Sequence, residues 1–125
     1  MYGMETALSA AARPPLAGQS FEDQAMMALA VQLVALGLGV SPHDVVSHRR
    51  LGQKVVLARQ AAMYLAHIGW GWPLAQVGQA FGRDRATVSH ACRQIEYRRL
   101  DPALDRLLEA SEAALRLAPR PGMVA

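Results

Sequence analysis

The chain has only one cysteine, Cys92, among its 125 residues, which excludes an intramolecular disulfide and leaves a cysteine-built zinc site no partners. Lysine is equally scarce. Lys54 stands alone and no glycine-rich loop precedes it, so the Gly-x-x-x-x-Gly-Lys-Ser/Thr cradle of nucleotide-hydrolysing domains is missing. The four histidines, His43, His48, His67 and His90, show no spacing that converges with a carboxylate or with Cys92. No nucleophile–base pair and no paired carboxylates can be assembled, so the expectation is a non-enzyme without metal or cofactor. Alternating strand patterns and internal repeats are also lacking.

No secretory signal is readable. Met1 to Leu16 lacks a basic start followed by an apolar block, and it runs into Arg13-Pro14-Pro15. The longest apolar stretch, Ala25 to Val40, is interrupted by Gln32, Gly37 and Gly39 and reads as short of a membrane span. The expectation is a cytoplasmic, nucleoid-associated protein with no membrane partner.

What charge there is lies in the middle of the chain. From residue 43 to 100, Arg49, Arg50, Lys54, Arg59, Arg83, Arg85, Arg93, Arg98 and Arg99 stand against only Asp44, Asp84 and Glu96. Both flanking segments are slightly acidic, so a polyanion would feel the middle. Arginine dominates, and its planar fork suits bidentate contacts with phosphate and guanine.

Helical signals fill the interior. Residues 1–19, rich in Ala, Gly and Pro, read as a flexible tail, and order begins at Ser20, a helix cap with Asp23 closing a capping box. Met26, Leu29, Ala30, Leu33, Val34 and Leu36 recur at helical spacing until Gly37 and Gly39 end the helix. Ser41-Pro42 opens a short helix to Ser47, with Asp44 closing its box, and a basic loop follows from His48 to Gln53. A third helix from Lys54 to Ile68 buries Val55, Ala58, Ala62, Leu65 and Ala66 on one side. Gly69-Trp70-Gly71-Trp72-Pro73 breaks it, with the tryptophans expected to cover an edge of the core. Pro73 to Phe81, Asp84 to Arg99 and Asp101 to Leu117 are further helices, and residues 118–125 read as a second tail. The fold class is therefore all-α, a bundle of five to six helices occupying residues 20–117.

Residues 73–99 have the layout of a helix-turn-helix. A short support helix with Leu74, Val77 and Phe81 precedes a tight turn at Gly82-Arg83. The second helix then buries Val88, Ala91, Cys92 and Ile95 while turning Asp84, Arg85, Ala86, Ser89 and Arg93 outward, toward a major groove. Thr87, near the helix start, is placed to bond a phosphate.

At this point the sequence resembles a known family. Phe81-Gly82-Arg83-Asp84-Arg85-Ala86-Thr87-Val88-Ser89-His90-Ala91-Cys92-Arg93-Gln94-Ile95-Glu96 is similar to the signature of the C-terminal DNA-binding domain of the bacterial replication initiator DnaA. There, Gly-Arg-Asp-His-Thr-Thr-Val precedes a helix with His-Ala and later Ile-Glu. Ala58-Arg59-Gln60-Ala61-Ala62-Met63-Tyr64-Leu65 resembles the family's Arg-Gln helix ahead of the motif. The resemblance covers about Asp44 to Leu108, with weaker agreement back to Phe21.

The resemblance implies roles. Asp84 would accept from a cytosine amine, Arg85 would meet base edges where the family has His, and Thr87 would sit near phosphate and bases. Arg59 and Gln60 would hold the DNA backbone or reach a base, and Arg49, Arg50 or Lys54 would reach the adjacent minor groove. His90 fits the family's helix as a positioning or packing residue, and Arg83 keeps the family's arginine. Arg85 replaces His, Ala86 replaces the first Thr, and the turn lacks one of the family's two glycines. Each altered base contact shifts discrimination by about 1–3 kcal/mol.

Double-stranded DNA is thus the expected partner, read without the initiator's ATPase motor. The leading expectation is a transcriptional regulator, with RNA polymerase or a partner activator as a further partner, in the manner of DnaA-like phage or gene-transfer-agent activators. A replication-control factor at origin sites is the alternative within DNA binding. An adaptor with a degenerate helix-turn-helix is the alternative outside it. The apolar helix Phe21–Leu38 offers a homodimer or partner surface, beside plain core burial.

Overall fold

The computed structural model of the chain describes residues 20–49 and 51–118. The tail expectations for residues 1–19 and, beyond Ala118, for the C-terminal segment lie outside the described residues, as does Arg50. Among the described residues there are six α-helices and no strand: α1 Phe21–Leu38, α2 Pro42–Val46, α3 Gln53–Tyr64, α4 Leu74–Phe81, α5 Arg85–Arg98 and α6 Pro102–Leu117.

α1 starts as the capping signal predicts. Ser20 Oγ accepts from the Asp23 amide at 2.9 Å. The Asp23 carboxylate does not turn back on Ser20. It accepts from Gln76 Nε2 of α4 at 2.9 Å and so ties the start of α1 to the support helix. Gly37 does not end α1. The helix runs through Leu38 and closes on Gly39 with its amide on the Ala35 carbonyl, while Leu107 of α6 packs where a side chain on Gly37 would stand.

That extra length matters for one expectation. At 18 residues and a mean hydropathy of 1.3, α1 is long and apolar enough to cross a membrane by length and composition, rather than short of a span. In this fold its Met26, Met27, Ala30, Val31, Val34 and Ala35 are instead built into the domain core. The opposite side leaves Phe21 and Leu36 largely exposed.

α2 is one residue shorter than expected, and Ser41 makes no side-chain cap. The short helix is held from elsewhere, as described below. α3 begins at Gln53, one residue before the expected start at Lys54, so Lys54 lies in its first turn. It is buried on more than one side: Ala61, Ala62, Met63, Tyr64, Leu65 and Ala66 are consecutive core residues. α1, α5, α2 and α4 pack around it or one another, which makes α3 the axis of the bundle. Burial of each large aliphatic side chain there contributes about 1.5–3 kcal/mol.

The end of α3 widens into a π-helical turn, Leu65–Gly69. His67 Nδ1 lies 2.7 Å from the Trp72 carbonyl and the Trp72 amide donates to Ala66 at 3.2 Å, closing the connection. Trp72 is buried and Trp70 half-buried, their rings 5.4 Å apart, so both cover the core edge.

α6 is pinned by Arg99. Its Nε donates to Asp105 at 2.6 Å, and its terminal nitrogens reach Glu112 at 3.2 and 3.4 Å and the Tyr64 hydroxyl at 3.2 Å. Burial disfavours the guanidinium charge, but these hydrogen bonds outweigh it and raise its pKa.

Candidate nucleic-acid interface

The recognition unit is built around a close backbone approach. α4 ends on Gly82, whose φ of +67° closes the helix with its amide on the Gly78 carbonyl. The Arg83 amide donates to the same carbonyl at 2.9 Å. Gly78 must be small: a β-carbon there would stand 2.5 Å from the Arg83 carbonyl oxygen. The sequence reading missed Gly78, although a glycine four residues before the turn, inside a helix, is a legible signal of close packing.

α5 then starts on Asp84, whose Oδ1 accepts from the Thr87 amide at 2.8 Å. Hydrogen bonds from the Thr87 backbone and then its side chain hold the Asp84 carboxyl below its ordinary range, against an opposing effect of desolvation. A carboxylate has about four acceptor positions, so capping leaves it others.

The inner face of α5 is Val88, Ala91, Cys92 and Ile95, all buried as expected. Its outer face carries Asp84, Arg85, Ala86, Thr87, His90 and Arg93, all exposed, with Ser89 half-buried. Arg93 Nη1 donates to Ser89 Oγ at 2.7 Å, one turn back. His90 is exposed rather than packed, so it belongs with the outward set.

The basic loop meets this unit at its turn. Arg83 Nη1 donates to the Phe81 carbonyl at 3.0 Å, and its Nη2 donates to the Ser47 carbonyl at 3.1 Å. His48 Nε2 lies 3.2 Å from the Gly82 carbonyl. Arg59, on α3, donates through Nε to Val45 at 2.9 Å and through Nη2 to Asp44 at 3.1 Å and Arg49 at 3.4 Å. Burial lowers the pKa of both guanidiniums, and for Arg59 the neighbouring Arg83 charge lowers it further. The links made by Ser47 and His48 span more than thirty residues and had no sequence signal.

The structure thus brings Arg83 to Thr87, Ser89, His90, Arg93, Arg59 and the loop at Arg49 into one region. Arg49 and Lys54 are exposed. Gln60 departs from the group: it lines a shallow groove with Gly52, Gln53, Val56, Leu57 and Arg98, at the far end of α5. Among the described residues no three His, Cys, Asp or Glu side chains come together as a metal site.

A short support helix, a glycine-closed turn and a capped second helix with a polar outer face define a DNA-binding helix-turn-helix domain. The chain belongs to the family described as the bacterial DnaA protein helix-turn-helix, whose model matches residues 27–95. That match takes in most of α1, where the sequence resemblance was weak, and it stops before α6. Chromosomal replication initiator proteins DnaA are its relatives: 44% identical over 66 residues in Brucella abortus, and 47% over 64 residues in Bartonella quintana. The protein from Thermodesulfovibrio yellowstonii is 34% identical over 79 residues, 62% of this chain and 18% of that protein. The first two alignments cover 52% and 50% of this chain but only 13% of each relative's length. No solved structure matches the chain.

Proposed function

We propose that the protein is a sequence-specific reader of double-stranded DNA that regulates transcription. The observation that carries this reading is the first turn of α5. Asp84, Arg85, Ala86 and Thr87 are all exposed on a helix whose opposite face is locked into the core. Arg85 reads base edges in the major groove, Asp84 accepts from a base amine, and Thr87, Ser89, His90 and Arg93 follow the flanking groove wall. Arg49, with Arg50 and Lys54, adds backbone or minor-groove contacts. Such a protein acts at the nucleoid.

A single module of this kind buries about 600–1,000 Å² on DNA. A second copy or an activator partner seated on the exposed side of α1, at Phe21, Leu29 and Leu36, would add the missing affinity. For an activator, RNA polymerase or a partner activator is the further partner.

Replication control is favoured by a separate observation: the relatives are chromosomal replication initiator proteins. The adaptor reading fares worse, because Arg85 and Arg93 stand exposed where a protein-binding relic has no need of them.

Selection of bound duplexes from a random-sequence pool tests the core of the proposal. Enrichment of one short motif by the wild-type chain, lost with Arg85→Ala, is the expected result. Enrichment of no motif, or the same motif with both proteins, contradicts base readout by α5.

A further inference from the structure

Between Asp44 and Arg49 the backbone turns four carbonyls toward arginines from two separate elements. Arg59 of α3 takes Asp44, Val45 and Arg49, and Arg83 of the recognition turn takes Ser47. His48 returns the link onto the Gly82 carbonyl. The two guanidiniums are therefore committed to protein carbonyls and half-buried, in contrast to Arg85 and Arg93, which stand exposed.

We propose that Arg83 and Arg59 are positioning residues, Arg59 holding α2 and the basic loop to α3 and Arg83 locking the loop to the recognition turn, so that loop and α5 meet DNA as one rigid reader. This rests on the DNA-reading function proposed above and reassigns two arginines that sequence alone groups with the DNA contacts. A planar guanidinium can bridge the Phe81 and Ser47 carbonyls with separate nitrogens at fixed spacing, which an ammonium on a flexible stem does not reproduce. The ordering cost of the loop is met during folding instead of at binding. A fixed spacing between the major-groove contacts of α5 and the contacts made by Arg49 follows.

The test compares full-length wild type with Arg83→Lys and Arg83→Gln, using a duplex recovered from a random pool by the wild type. In the DNA-free protein, hydrogen exchange at the Ser47 to Arg49 amides rises in both variants while α5 and α6 keep their protection. On DNA, affinity falls about tenfold, the loss expected if the docked loop drops to about a tenth of the population. Because the bound form has the loop docked, dimethyl sulfate protection at guanine N7 in the major groove and at adenine N3 in the minor groove returns in both variants at about tenfold higher protein, and the salt slope is unchanged.

Wild-type affinity in Arg83→Lys, with a salt slope smaller by about 1 in Arg83→Gln, overturns the proposal and makes Arg83 a phosphate contact. Unchanged loop exchange in Arg83→Lys overturns it as well. If the wild type recovers no duplex, the DNA-reading function fails, while the exchange measurement still decides the lock. His48→Ala removes an exposed link without touching either arginine and carries the same expectations in milder form, should the Arg83 variants not fold.

Discussion

Gly78 of the support helix and Arg83 of the turn approach each other as closely as backbone permits. The Gly78 carbonyl accepts from the Arg83 amide at 2.9 Å, while the Gly78 α-carbon faces the Arg83 carbonyl. This contact sets the angle at which α5 leaves α4, and with it the direction of the whole outward face.

Gly78→Ala therefore destabilises the domain by about 2–3 kcal/mol, at the upper end of overpacking costs, because the obstructing atom is backbone and cannot rotate away. Urea denaturation followed by circular dichroism checks this. A midpoint unchanged from wild type would mean that the turn has slack that the geometry denies.

Asp84 has two roles that one pair of variants separates. Asp84→Asn keeps a side-chain oxygen for the Thr87 amide and so keeps the helix start, but loses the charge and the acceptor pattern offered to a base. Asp84→Ala loses both. Thermal melts should rank Asn close to wild type and Ala below it, while the selected DNA motif changes in both. If the motif is unaltered in Asp84→Asn, Asp84 is a cap only.

The same carboxylate gives a pH dependence of known sign. Its folded pKa lies below the ordinary value of 3.8, so its contribution to stability is complete above that value and is lost as pH falls through the lower folded pKa. Acid titration of stability in wild type and Asp84→Ala should converge below that window and separate above it.

Cys92 sits on the inner face of α5, and burial, followed by the nearby Glu96 charge, pushes its thiol up to about 11 against a weaker opposite pull from Arg93. With its pKa raised from the ordinary 9.0 to about 11, the thiol carries about 100-fold less thiolate at pH 8. Labelling by a disulfide reagent should be at least about 100-fold slower in the native protein than in denaturant. Fast native labelling would place α5 outside the core.

Much of this architecture was legible. The cap at Ser20, the helix-breaking Gly82 and the apolar spacing of α5 located the helices, because each acts over only a few residues. Where the reading missed, longer-range packing decided. Gly37 reads locally as a terminator, but Leu107 of α6 occupies the space beside it and the helix continues. Arg59 and Arg83 read as outward cations, since no local pattern says that their partners are carbonyls of a loop distant in sequence. Gln60, one residue from Arg59, turns to a different groove for the same reason.

The most direct measurement is genome-wide occupancy of the tagged protein beside its Arg85→Ala variant. Discrete promoter peaks sharing one motif, lost in the variant, are the predicted result. Peaks confined to the replication origin would replace transcriptional regulation with replication control. No peaks, or peaks indifferent to Arg85→Ala, would contradict base readout by the first turn of α5.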